Sequence, residues 1–311
     1  SSVALILFSF FCLQMILKLI NTILIADQKP YKSSLVDLIS QFLILLIIYF
    51  LTVYTKGSLV LLALTLGIVP VIVLFFTSIL LFKSSYQNFS PSFKHIRFEK
   101  VKKTLSLGGK FFLIQIAFIV IYQTSNFIIS NVSGPVDVTN YNIAFKYFAV
   151  LTMLFNIVIT PYWSAFTDAF TLNDYDWMKK TYFSLLKLYI PILAINFIMV
   201  VVSPIVYDFW VGELVNVTLM TSILISIYIS LNIWNSLHSY IINGIGKIKL
   251  QLYSGVLSCL IFLPLAFFLG DKYGVYGVIS ASILISLPQV FISFFQAYKL
   301  INKKATGIWN E

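Results

Sequence analysis

Long apolar runs, separated by short polar or basic stretches, recur nine times along the 311-residue chain. They fall at about 3–25, 35–54, 58–82, 111–131, 139–162, 182–203, 217–242, 251–269 and 276–298. Each is close to the ~20 residues an α-helix needs to cross a bilayer. None alternates apolar and polar residues as the strands of a membrane β-barrel do. The pattern therefore predicts an all-α, polytopic helical membrane protein. Pro70, Pro161, Pro191, Pro204, Pro264 and Pro288 sit within or beside these runs, where neighbouring helices can satisfy the freed backbone groups.

Several runs carry polar positions at helical spacing. In the fifth, Asn142, Lys146, Asn156 and Thr160 share an arc of roughly 80°, leaving the other face to Phe, Ile, Leu and Val. In the fourth, Gln115, Tyr122, Asn126 and Ser130 share a face, and in the seventh Tyr228, Asn232, Asn235, Ser239 and Asn243 do the same. Such stripes suit either a wettable cavity or hydrogen bonds between helices. An ammonium inside hydrocarbon costs several kcal/mol unless it finds water, a partner or the interface. Lys146 is therefore the leading cavity candidate, against the alternative that its stem carries the charge to the outer interface. Lys18, one turn after Gln14, is a second candidate, balanced by its nearness to the opposite interface. Asp37 stands near a helix start and reads as a surface group; His238 reads as structural.

Composition agrees with the pattern: 59% of residues are hydrophobic, 10% are charged, and the mean hydropathy is +0.95. A soluble domain carries about 25% charged residues. The formal net charge of +10 could point to nucleic acid, but its placement does not. Sixteen of the 21 Lys and Arg fall on alternate loops: Lys29 and Lys32; Lys83 through Lys110; Lys179 and Lys180; Lys247 and Lys249; Lys299, Lys303 and Lys304. By the positive-inside rule those loops are cytoplasmic, as is the C-terminus, and no nucleic-acid partner is expected. Trp163 and Trp210 fall at the expected interfaces. Cys12 and Cys259 lie in apolar runs, without disulfide or metal spacing. No HExxH, P-loop or nucleophile elbow is present, so neither an enzyme nor a cofactor is expected.

A shift of 218 residues lays 23–40 on 241–258, Lys29 on Lys247, Pro70 on Pro288, and the second and third spans on the eighth and ninth. Topology is the same in both copies, which makes this a parallel repeat. The three spans from 111 to 203 then lack partners, so three further spans are expected upstream of Ser1. The expectation is nine spans of twelve in two lobes: 1–82 from the first, a basic linker at 83–110, and the second lobe at 111–311.

LSLGGKFFLIQIAFIVIYQTSNFIIS (105–130), GPVDVTNYNIAFKYF (134–148), TPYWSAFTDAF (160–170) and NGIGKIKLQL (243–252) resemble the Wzx-type O-antigen and oligosaccharide flippases. These are polysaccharide biosynthesis proteins of the multidrug/oligosaccharidyl-lipid/polysaccharide (MOP) superfamily, which also holds the MATE drug exporters. Ser125 departs from relatives that often carry an acidic residue before the Asn. The resemblance implies a MATE-like two-lobe bundle in the bacterial inner membrane. It also implies flipping of an undecaprenyl-pyrophosphate-linked oligosaccharide, such as an O-antigen or capsule repeat unit of lipopolysaccharide-type polymers, from the cytoplasmic to the periplasmic leaflet. Lys146 would then meet the pyrophosphate, and coupling to H⁺ or Na⁺ stays open. The competing readings are a MATE-like multidrug or cation exporter and, less favoured by the short outer loops, a membrane oligosaccharide polymerase or ligase.

Overall fold

A computed structural model describes residues 2–55, 57–92, 98–212 and 217–311. Every long element is helical, and the described chain contains no strand. It divides into two compact units, Ser1–Arg97 and Phe98–Glu311.

The first unit holds α1 (Ser2–Leu17), α2 (Leu19–Ala26), α3 (Pro30–Tyr54) and α4 (Leu59–Lys83). Helices α1 and α2 form one 24-residue apolar segment, Val3–Ala26, with a single-residue break at Lys18. Pro30 starts α3, where its missing N–H costs nothing, and the Ser58 hydroxyl caps α4 by accepting from Leu61 N. Ile20, Val36 and Leu74 form the core of this unit. The Gln14 side chain donates to Gly67 O at 3.3 Å and ties α1 to α4. Beyond α4, Tyr86 donates its hydroxyl to Asp27 at 2.6 Å, and Lys29 lies 2.6 Å from the same carboxylate.

The second unit holds α5 (Phe98–Val132), α6 (Pro135–Thr171), α7 (Tyr175–Val211), α8 (Leu219–Ile245) and α9 (Lys249–Ile301), followed by a short 3₁₀ turn, Gly307–Asn310. Residues 93–97 of the expected linker lie outside the described residues, and 98–110 form the first turns of α5. The core is built around α8, whose Ile225, Ile229, Ile233, Leu237 and Ile241 repeat every fourth residue and are all buried. Phe148 and Phe166 of α6, Met178 of α7 and Phe262 of α9 close round them. Bulky side chains such as Phe197, Phe209, Leu260 and Phe291 lie exposed around the helices. So much apolar surface is tolerable only in lipid or against a partner.

Among the described residues, eight helices are long and apolar enough to cross a membrane, against the nine spans expected. The difference is confined to α9. At 53 residues it would measure about 80 Å if straight, more than twice the hydrocarbon thickness. Gly274 breaks it with φ 58° and ψ −137°, and the two arms, 249–273 and 275–301, fold back on each other. A Cβ on Gly277 would lie 1.9 Å from Leu269 O, so the turn closes only with glycine there. The arms are the expected eighth and ninth spans.

The 218-residue shift pairs positions of the first unit with positions of the second. Gln14 and Gly67, bonded in the first unit, fall on Asn232 and Ile285, which line one cleft in the second. Ser33 and Ser40, buried on α3, fall on Gln251 and Ser258 of the same cleft.

Candidate functional site

The polar face of α8, opposite its isoleucine row, meets α5 and both arms of α9 across a narrow cleft. Tyr228, Asn232, Asn235 and Ser239 come from α8; Gln251, Ser254 and Ser258 from the first arm of α9; Ser286, Gln289, Ser293 and Gln296 from the second. A wider mouth continues from it past Gln115, Phe111, Trp163, Tyr240 and Asn243. Asn232, Asn235, Ser239 and Gln251 line both parts, so the space is continuous. The inner part is narrow, about 60 Å³, and the mouth is about 600 Å³, so only the mouth is in the range of ligand pockets. None of the side chains lining either part is ionisable as an acid or a base at neutral pH.

Hydrogen bonds fix much of the wall. Ser254 Oγ donates to Gln289 Oε1 at 3.0 Å, and Gln289 Nε2 donates to Ser258 Oγ at 2.9 Å. Ser293 Oγ donates to Asn235 Oδ1 at 3.1 Å and Gln251 Nε2 to Ser239 Oγ at 3.3 Å. Two acceptors are left over: Gln251 Oε1 and Asn243 Oδ1 are buried without a hydrogen-bond partner among the described residues. A buried unmatched carbonyl costs about 1–3 kcal/mol, so both favour an incoming donor. Aromatic rings frame the mouth, with Trp163 5.6 Å from Phe111 and 5.7 Å from Tyr240 between centroids. Trp163, expected at a membrane interface, is thus part of the cleft wall. Its helix comes close to α8 at Gly244, where a Cβ would lie 2.6 Å from Trp163 O.

The expected site residues distribute unequally. Gln115, Asn232 and Asn235 join in the cleft. Tyr122, Asn126 and Asn142 form a separate cluster between α5 and α6: Asn142 Nδ2 donates to Asn126 Oδ1 at 2.8 Å, and the Tyr122 hydroxyl donates to Asn142 Oδ1 at 3.4 Å. Thr160 Oγ1 donates to Asn156 O and lies 3.5 Å from the Tyr240 hydroxyl, beside the mouth. Lys146 is exposed and stands roughly 180° around α6 from its buried face of Ala144, Phe148, Leu151 and Phe155, so it does not line the cleft. Lys18 is exposed at the α1–α2 break in the first unit.

Two further titratable groups change their reading or keep it. Asp37, expected near the surface, is exposed; it stands seven residues inside α3 and accepts from Asn21 Nδ2 at 3.2 Å, and Asn21 is buried. A carboxylate thus lies within a candidate span. His238 is fully buried, with Nδ1 2.7 Å from Trp234 O and Nε2 3.0 Å from the Tyr182 hydroxyl. A carbonyl only accepts, so Nδ1 carries the proton and Nε2 accepts from tyrosine. That is a satisfied structural histidine.

Sequence reading missed the α9 half of the cleft. Gln251, Ser254 and Ser258 recur at helical spacing, as do Ser286, Gln289, Ser293 and Gln296, so the signal was present. Serine in an apolar run is faint in hydropathy, and only the turn at Gly274 makes the two rows face each other.

The fold is an all-helical, polytopic bundle. No family model matches the chain, and no curated protein matches it in sequence. Solved structures do match it. An outward-facing multidrug resistance transporter of the MATE family of the MOP superfamily superposes with a TM-score of 0.74 at 18% identity, over 92% of this chain and 66% of that one. A P26A mutant of MATE matches at 0.73 and 16%, over 89% and 63%. A MOP superfamily transporter from Pyrococcus furiosus, described as having a binding pocket of reverse polarity that suggests a different function, matches at 0.66 and 18%, over 89% and 64%. The chain has a MATE-like fold and spans 63–66% of the length of these proteins.

Proposed function

We propose that the chain is part of a membrane transporter that flips a lipid-linked oligosaccharide by alternating access, with the glycan passing along the cleft of the second unit. The observation that carries this reading is the chemistry of that cleft: carboxamides, hydroxyls and an aromatic mouth, no charged lining, and two buried acceptors in need of donors. Sugar hydroxyls supply donors, and their apolar faces stack on rings such as Trp163 and Tyr240. An organic cation would instead call for a carboxylate. The undecaprenyl-pyrophosphate carrier, the bacterial inner membrane and the cytoplasmic C-terminus belong to the same proposal; they rest on the family resemblance and on the loop charges.

A MATE-like cation exporter is the second reading. It is favoured by the fold likeness and by Asp37, the carboxylate beside Asn21 within α3. The same pair is where H⁺ or Na⁺ coupling would be sought. One strain decides between the readings: a host lacking its own flippase, carrying this protein with Asn232→Ala and Asn235→Ala together. Surface polysaccharide is expected to fall severalfold at unchanged expression. Normal polysaccharide, or ethidium efflux that disappears with Asp37→Asn, would overturn the flippase in favour of the exporter.

A further inference from the structure

The cleft ends where α8 turns into α9, and the segment 307–311 lies across that end. Gln296, a cleft residue, donates its amide to Lys247 O at 2.8 Å and to Trp309 O at 3.5 Å. Lys247 Nζ donates to Asn310 O at 2.8 Å, and Lys249 N donates to Glu311 O at 3.1 Å. Lys249 Nζ forms an ion pair with the Glu311 carboxylate. Lys299 Nζ lies 4.0 Å from the centroid of the Trp309 ring and holds the segment from its other side. The Glu311 carboxyl is held below the usual carboxylate range first by Lys249, then by the fields of Lys247 and of Lys110 on α5.

Alternating loop charge explains why lysines lie at this end of the unit. It does not explain why Lys247 and Lys249, on the α8–α9 turn beside Gln251, both engage the same terminal segment, the first at Asn310 O and the second at the Glu311 carboxylate. The side chains of the pair are 39% and 49% exposed, and exposed pairs contribute little. Such a carboxylate is readily exchanged for an anion of higher charge with more acceptor oxygens.

We propose that Lys247 and Lys249 form a docking site for a phosphate-class anion at the basic end of the cleft, which Glu311 occupies as an internal stand-in. Two sources share this chemistry: the phosphodiester of an anionic lipid headgroup and the pyrophosphate of a lipid-linked cargo. The second source rests on the flippase reading; the site itself does not.

The test uses the whole 311-residue chain in neutral detergent, with inorganic pyrophosphate as the probe and titration calorimetry as the readout. Glu311→Gln is expected to tighten binding about tenfold by removing the competing charge, and Lys247→Gln with Lys249→Gln to weaken it about tenfold or more. Glu311→Gln keeps side-chain length and the Lys→Gln variants keep most of it, and an unchanged melting temperature without ligand shows that they fold. Emission of Trp309, taken as the difference between the native chain and Trp309→Phe, is expected to shift as the segment leaves. Affinities within twofold of the native chain for both sets of variants, or no pyrophosphate binding by any form, overturn the site. Repeating the titration in phosphatidylglycerol and phosphatidylcholine nanodiscs assigns the source: loss of binding only in phosphatidylglycerol identifies the headgroup, retention in both identifies the pyrophosphate. If the glutamine variants behave as expected while Asn232→Ala/Asn235→Ala leaves polysaccharide export normal, the site stands and the flippase reading falls.

Discussion

Gln289 holds the two arms of α9 together through Ser254: the serine hydroxyl donates to Gln289 Oε1 at 3.0 Å, and the freed amide reaches Ser258 at 2.9 Å. The contact lies in the cleft wall, so stability and ligand binding share it. Replacing Gln289 by Ala breaks both bonds, each worth about 0.6 kcal/mol on average within a membrane bundle. The expected loss is about 1–2 kcal/mol, seen as a lower melting temperature in detergent. Export should fall further than expression does, since the variant also widens the cleft. Equal losses in export and expression would mean that Gln289 is only a helix tie.

The approach of α6 to α8 depends on one missing side chain. A Cβ on Gly244 would lie 2.6 Å from Trp163 O and 3.1 Å from Phe166 Cβ, and Thr167 Oγ1 donates to Gly244 O at 2.7 Å across the same contact. Gly244→Ala forces the helices apart, with an expected cost of about 1–3 kcal/mol. Gly255 is also helical, but nothing lies within 4 Å of its Cβ position. Gly255→Ala should therefore stabilise by about 0.5–1 kcal/mol through backbone entropy alone. Opposite shifts in melting temperature for the two substitutions check the assignment.

What could be read in the sequence follows from which signals a single helix carries by itself. Span positions came from hydropathy, and the orientation of loops relative to one another from lysine placement. The structure gathers Lys110, Lys247, Lys249, Lys299 and Lys303 at one end of the second unit, the last 4.0 Å from the Tyr175 ring centroid. The α8 stripe was legible because amides stand out among isoleucines. The assignment of Asn142 was not, since its 3.6-residue face fits a cavity and a helix contact equally, and only the position of Asn126 on α5 decides for contact. The hydrogen bond of exposed Asp37 to Asn21 was not legible either, because it depends on α2 packing beside α3.

The cluster at the end of α2 gives an acid-dependent signal. Lys29 first, then the Tyr86 hydroxyl, bonds the Asp27 carboxylate and holds its carboxyl below the usual carboxylate range. The same carboxylate keeps Tyr86 protonated to higher pH, so tyrosine stays the donor. A depressed carboxyl stabilises the fold above its unfolded value, and that contribution disappears as pH falls through the lower folded value. The melting temperature of the native chain minus that of Asp27→Asn should therefore be positive and flat above the carboxylate range and decline towards zero at more acid pH. Both Asp27 and Lys29 are largely exposed, so high salt should shrink the difference across the whole range. A difference that grows on acidification would show that the cluster works against folding.

Lys146 remains the cation that the fold does not explain. It is exposed on the side of α6 turned away from every buried residue of that helix, and folding of the second unit makes no use of it. Lys146→Ala should accordingly leave stability within about 0.5 kcal/mol, as for other surface positions. Export separates the two roles open to such a group. A lysine that only reaches for the interface is replaceable by neutral residues, because alanine in a span is at least as well accommodated by lipid. A lysine that meets the anionic part of the cargo is replaceable by arginine and not by alanine. If the flippase reading holds, Lys146→Ala lowers surface polysaccharide severalfold at equal expression while Lys146→Arg restores most of it. Normal export by the alanine variant would make Lys146 an anchor.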